Sequence, residues 1–168
     1  MAPRRLRVGL DANVLIAGIL LPRWPHEVMR AALGDFFDLV LPAQVIVEAS
    51  RHLTHPSETA ALRFFLEGSR HEAVAMPTVT EVQQNLDLVR SEKDVPIALA
   101  LLAHDVDIFV SSDRDFTEPT ATAPRFRSRI RVLLPAIFLR DVLGWSSEAL
   151  EEIRNRTWAD LVGEIPTE

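Results

Sequence analysis

The chain has 168 residues, which suits one domain with its own core, and 48% of them are apolar, which excludes disorder as the default. It has no cysteine, so disulfides, thiolate metal sites and a cysteine nucleophile are excluded. With 18 basic residues against 24 acidic, the net charge of −6 speaks against a broad basic surface for nucleic acid, though not against an enzyme that gathers its acids in a metal site.

In chain order, Arg7–Leu10 reads as a short apolar strand running straight into Asp11, with Ala12–Leu20 as the first helix. Arg4, Arg5 and Arg7 precede no signal-type apolar segment, and no apolar run spans a bilayer, so the expectation is a cytoplasmic protein without membrane contact. Pro25 suits a helix start over His26–Leu33, stopped at Gly34. Phe37–Leu41 is a second buried strand, and Pro42 opens a helix with Val45, Ile46, Ala49 and Leu53 at helical spacing. Glu48 sits beside that stripe. Ser57 is placed to cap a helix through Leu66, closed by Gly68, and Ala73–Met76 is a weak third strand. Thr80–Arg90 reads as an amphipathic helix.

Asp94 stands at an N-cap position, with Pro96 in the first turn of a helix that is apolar almost all round to Ala103. Asp107–Val110 is the next strand, followed at once by Ser-Ser-Asp-Arg-Asp-Phe. A Thr-, Pro- and Arg-rich loop leads to a last strand, Ile130–Leu134. Pro135–Leu143 is a helix stopped by Gly144, and Ser146 caps a helix over Ser147–Arg156. The expected organisation is one domain over residues 1–144 and a docked helical extension over 145–168, carrying Trp158 and Leu161. Alternation of strands and helices predicts an α/β fold, three-layer α/β/α with a mainly parallel central sheet.

In a parallel sheet every strand ends at the same edge, and ligands bind there. Asp11 and Asp113 each follow a strand. Helices run antiparallel to the strands, so Asp94 at a helix start belongs to that edge, and Glu48 lies near it. Each acid also has a plain structural reading: Asp11 and Asp94 as helix caps, Asp113 as an Asx-turn residue, Glu48 as a solvated helix residue. Their convergence on one cleft favours a site. Such a cluster repels itself, and a hard divalent cation, Mg²⁺ or Mn²⁺, relieves the repulsion. The chemistry that needs this arrangement is phosphodiester hydrolysis.

Leu-Asp-Ala-Asn-Val-Leu-Ile from Leu10, Val-Ile-Val-Glu from Val45, Lys-Asp-Val-Pro-Ile-Ala-Leu-Ala from Lys93 and Val-Ser-Ser-Asp-Arg-Asp-Phe from Val110 resemble, in this order, the acidic motifs of PIN-domain nucleases. The resemblance covers about Arg7 to Leu143 and implies a metal-dependent ribonuclease, VapC-like in type. By resemblance Asp11, Glu48, Asp94 and Asp113 are the catalytic quartet, with Asp11, Asp94 and Asp113 as metal ligands and Asn13, Ser111 and Asp115 as supporting polar residues. Many relatives are toxins of type II toxin–antitoxin pairs, so an RNA substrate, an antitoxin protein and a homodimer are the partners it implies. The last motif departs from the Thr-Arg-Asp form common in the toxins, which weakens that part of the reading. Apolar content in His26–Leu33 and Ser57–Leu66 also points to self-association.

Other classes fit poorly. The six glycines form neither a dinucleotide fingerprint nor a P-loop, no Gly-x-Ser-x-Gly is present, and Asn13 stands where a haloacid-dehalogenase-type phosphatase wants a second Asp. Lys93 is the single lysine and precedes a helix, which disfavours a receiver domain. The remaining alternative is a silent PIN-like module that binds RNA or protein. His52 reads as a surface residue one turn after Glu48. Arg125, Arg127, Arg129 and Arg131 alternate with Phe126 and Ile130 in the loop entering the last strand, which in an extended segment puts the arginines on one face for phosphate tracking, with Phe126 free for stacking.

Overall fold

The structure is a computed structural model and describes residues 4–162. β1 (Arg7–Leu10) leads through α1 (Ala12–Leu20) and α2 (Trp24–Leu33) to β2 (Asp38–Pro42). α3 (Ala43–His52) and α4 (Pro56–Gly68) precede β3 (Glu72–Val74). After α5 (Val79–Gln83), a 3-10 turn over Glu92–Asp94 opens α6 (Val95–Ala103), and β4 (Ile108–Val110) follows. α7 (Arg114–Thr117) and α8 (Pro124–Arg127) lead to β5 (Arg131–Leu133), followed by α9 (Pro135–Asp141), α10 (Ser147–Glu152) and α11 (Trp158–Val162).

The five strands pair in the order β3-β2-β1-β4-β5, every pair parallel. The architecture is the expected three-layer α/β/α. α1 packs on α2, α3 and α4, and α2 also packs on α9. On the opposite face α6 packs against β2 and α5. Strand residues alternate between faces, so Val8 and Leu10 point one way and Gly9 the other. A Cβ on Gly9 would stand 2.8 Å from a Leu101 methyl of α6. The missing side chain therefore lets α6 press onto the central strand. The core is apolar throughout, with Val8, Leu10, Val40, Leu41, Leu101, Phe109 and Val110 fully buried. Burial of this order drives the fold by about 25 cal/mol per Å² of apolar surface.

Several boundaries differ from the sequence expectation, each for a local reason. His55, not Ser57, caps α4: its Nδ1 accepts from the Ser57 N–H at 3.2 Å, and Glu58 accepts from the His55 N–H. The helix expected over Thr80–Arg90 ends at Gln83, because the chain turns at Asn85 and sends Leu88 and Val89 inward, where Val89 bridges Thr122. The third strand begins at Glu72 and leaves Met76 outside it, and the helix after Ser146 ends at Glu152.

Beyond Gly144, whose φ of +78° ends the preceding helical segment, the chain returns to the α1–α2 corner. Arg156 donates to the Pro22 carbonyl and to the buried Glu27 carboxylate, both at 2.6 Å. Trp24 Nε1 donates to Leu150 O and Trp158 Nε1 to Leu20 O, both at 2.9 Å. Residues 163–168 of the expected extension lie outside the described residues. Among the described residues no helix is long and apolar enough to cross a membrane.

Candidate metal centre

The chain goes from β1 to β2 on one side and returns to β4 on the other, so the sheet reverses its strand order between β1 and β4. A crevice at the strand ends follows from that reversal. Leu10 pairs with Val110, and the next residues, Asp11 and Ser111, meet: Ser111 Oγ donates to Asp11 Oδ2 at 2.7 Å. Asp11 Oδ1 accepts from the Ala12 N–H at 2.8 Å, so Asp11 also caps α1. The Ser111 hydroxyl accepts from the Asp113 N–H at 3.0 Å, and Asn13 Oδ1 accepts from the Ser112 N–H at 3.4 Å. The loop after β4 is thereby tied to the start of α1. Asp113 caps α7, accepting from the Asp115 N–H at 2.9 Å.

Asp94 does not cap α6. The 3-10 turn starts the helical path earlier, so Asp94 has helical backbone angles and makes no capping hydrogen bond. Its side chain lines the cleft instead, and its Oδ2 is buried without a hydrogen-bond partner. On the facing wall Gln44 Nε2 donates to Glu48 Oε1 at 2.9 Å and to the Lys93 carbonyl at 3.4 Å. Asp11, Glu48, Asp94 and Asp113 all line one cleft of about 400 Å³, together with Asn13, His52 and Lys93.

Three carboxylate oxygens, one each from Asp94, Asp113 and Asp115, lie within 4.8 Å of one another. The tightest trio therefore contains Asp115, expected only as a supporting residue, in place of Asp11. Asp115 is shared with Arg90, whose Nε donates to Asp115 Oδ1 at 2.9 Å and whose Nη1 donates to Glu118 at 2.6 Å.

Burial pushes the Asp11 carboxyl up to about 6, the Asp113 and Glu48 charges adding to it while the Ser111 and Ala12 hydrogen bonds oppose it. Asp94 is likewise pushed up to about 6, by burial first and then by the charges of Asp11 and Asp113, with Lys93 and a hydrogen bond from the Ser91 side chain opposing. Among the described residues no arginine, lysine or histidine bridges Asp11, Glu48, Asp94 or Asp113. A buried, unpartnered carboxylate oxygen among repelling acids is costly unless a cation meets it. The donors are all oxygens, the set that suits Mg²⁺ or Mn²⁺.

The structure does not put the arginines from Arg125 to Arg131 on one extended face. Pro124 starts a helical turn, so period two does not apply and Phe126 is fully buried, unable to stack on a base. Arg125 holds Asp87 at 3.0 and 3.1 Å. Arg127 donates to the Pro119 and Thr122 carbonyls. Arg129 donates to Leu102 O at the carboxyl end of α6, the end opposite Asp94. Sequence reasoning missed Gln44, Arg90 and Lys93; His52 is exposed as expected and also lines the cleft. Only the Gln44–Glu48 spacing of one helical turn was available as a signal.

No protein-family model matches the chain, and no curated protein matches it. The crystal structure of PAE2754 from Pyrobaculum aerophilum is similar in fold, with 14% sequence identity, a TM-score of 0.54, and coverage of 83% of this chain and 97% of that one. At that identity the likeness is one of architecture.

Proposed function

We propose that this protein is a metal-dependent endoribonuclease of the PIN-like, VapC-like kind. The observation that carries it is the buried, unpartnered Asp94 Oδ2 facing a cleft lined by three further carboxylates. Asp94 and Asp113, with Asp11 and Asp115 beside them, would hold Mg²⁺ or Mn²⁺. Such an ion supplies a water of lowered pKa and charge neutralisation at phosphate.

The chain's own residues do the rest. Ser111 and the Ala12 N–H fix the Asp11 carboxylate from both oxygens. Gln44 orients Glu48, which is placed to take a proton from a water in the cleft. Asn13 and Ser111 hold the loop that carries Asp113. The choice of RNA rests on the motif resemblance alone.

The test is cleavage of RNA and DNA oligonucleotides with Mg²⁺ or Mn²⁺, together with calorimetric metal titration. The parent should bind metal and cut RNA internally, and Asp94→Asn should do neither. Metal binding without cleavage of any strand would favour a silent binding module. For the toxin role, expression of the parent should arrest growth and a co-expressed antitoxin should rescue it. A homodimer is supported by the exposed Phe64 of α4, and sedimentation at micromolar concentration tests it.

A further inference from the structure

A nucleic acid that enters this cleft brings negative charge to a wall of carboxylates, so a fixed cation at the mouth would add to what a bound metal ion supplies. The arginines of the α8 region are bound to other protein groups. Among the residues lining the cleft, Lys93 is the one side chain with a permanent positive charge, and it is the sole lysine of the chain. Its side chain is exposed, and it forms no ion pair among the described residues although Asp94 is its neighbour in sequence. Its backbone is fixed, by contrast: it lies within the 3-10 turn, and its carbonyl accepts from Gln44, the residue that also orients Glu48. A tethered base under an unpaired ammonium is the arrangement expected of a group that waits for an incoming anion. Lysine also suits the task as a compact point charge on a long stem, able to follow a phosphate as it moves into place.

We propose that Lys93 contacts the substrate's phosphodiester at the mouth of the acidic cleft, which rests on the nuclease reading above. The contact draws the backbone toward the carboxylates and offsets their repulsion. It contributes to affinity for any sequence, because phosphate contacts carry no base information.

The test is fluorescence anisotropy with a labelled single-stranded RNA, using Ca²⁺ in place of Mg²⁺ to hold the carboxylates, across a range of salt concentrations. Lys93→Met should weaken binding roughly tenfold at low salt and reduce the slope of log K against log salt by about 0.7, the loss of one phosphate contact on a single strand. Lys93→Arg should restore both. Arg4→Met removes an equal charge at the strand-start edge, where Arg4 pairs with Asp107, and should leave both unchanged. If Lys93→Met matches the parent, or if Arg4→Met loses as much, the contact does not exist. A parent that neither binds this RNA with Ca²⁺ nor cuts it with Mg²⁺ or Mn²⁺ overturns the nuclease reading and the contact together. A binding parent with an unaffected Lys93→Met overturns the contact alone.

Discussion

The two edges of the sheet treat charge in opposite ways. Where the strands begin, charges are paired: Arg4 with Asp107, Arg5 with Asp35 and Asp38, and Arg7 with Glu72. Where β1 and β4 end, Asp11, Asp94 and Asp113 line one cleft with no basic side chain among the described residues bridging them, and Asp11 and Asp94 are pushed up to about 6. The first edge is settled by the chain's own side chains. The second is left in repulsion, which is the state expected of a surface that gains its partner from outside.

The contrast can be broken most sharply at Asp113. Asp113→Ala should remove metal binding by calorimetry and lower RNA cleavage by at least about a hundredfold, with an unchanged circular dichroism spectrum, since metal-centred charge stabilisation is worth several kcal/mol. A variant that still cuts at the parent rate would end the proposed reading.

Next comes the settled half of the comparison. Arg156→Met should lower stability to urea by about 2 kcal/mol, because the buried Glu27 carboxylate loses its 2.6 Å partner and keeps only the more exposed Arg30 at 3.1 Å. A loss of the same size from Asp94→Asn would erase the distinction between paired and unpaired charge.

Asp94→Asn should instead stabilise the metal-free protein at pH 8, by about 1 kcal/mol once solvent screening is allowed for. The pH dependence has the same sign. A carboxyl raised to about 6 in the folded state binds more protons there than in the unfolded chain, where it titrates near 3.8. Stability of the metal-free parent should therefore fall as pH rises from about 4 to 6, and the fall should be smaller in Asp94→Asn. Urea midpoints at several pH values, with EDTA present, measure both. The smallest effect is expected at Arg125. Arg125→Ala breaks the exposed pair with Asp87 and should leave cleavage and its salt dependence unchanged in the same RNA assay.

The fold was legible because strands that end in acids alternate with helices bearing an apolar stripe, and the parallel sheet follows from that alternation. The cleft was legible through Asp11 and Asp113 for the same reason. The remainder depends on tertiary distance. Asp115 joins the tight trio only because α7 turns it toward Asp94, and Arg90 reaches it from 25 residues away. Alternation at Arg125–Arg131 was misleading because Pro124, a good first helical residue, outweighed it. Asp94 has the residue type and position of a cap, and only the extra turn before α6 frees its oxygen.

The Ser111–Asp11 hydrogen bond joins residues 100 positions apart. β1 is made before the other strands of its sheet, yet it occupies the middle of that sheet and has an open side until β4 is made. No part-length chain ending before residue 113 can hold the carboxylates of both β1 and β4. Contacts of this separation form slowly relative to local ones. Metal affinity is therefore a readout of completed folding: a half-made or unravelled chain carries most of the acids and none of the cleft.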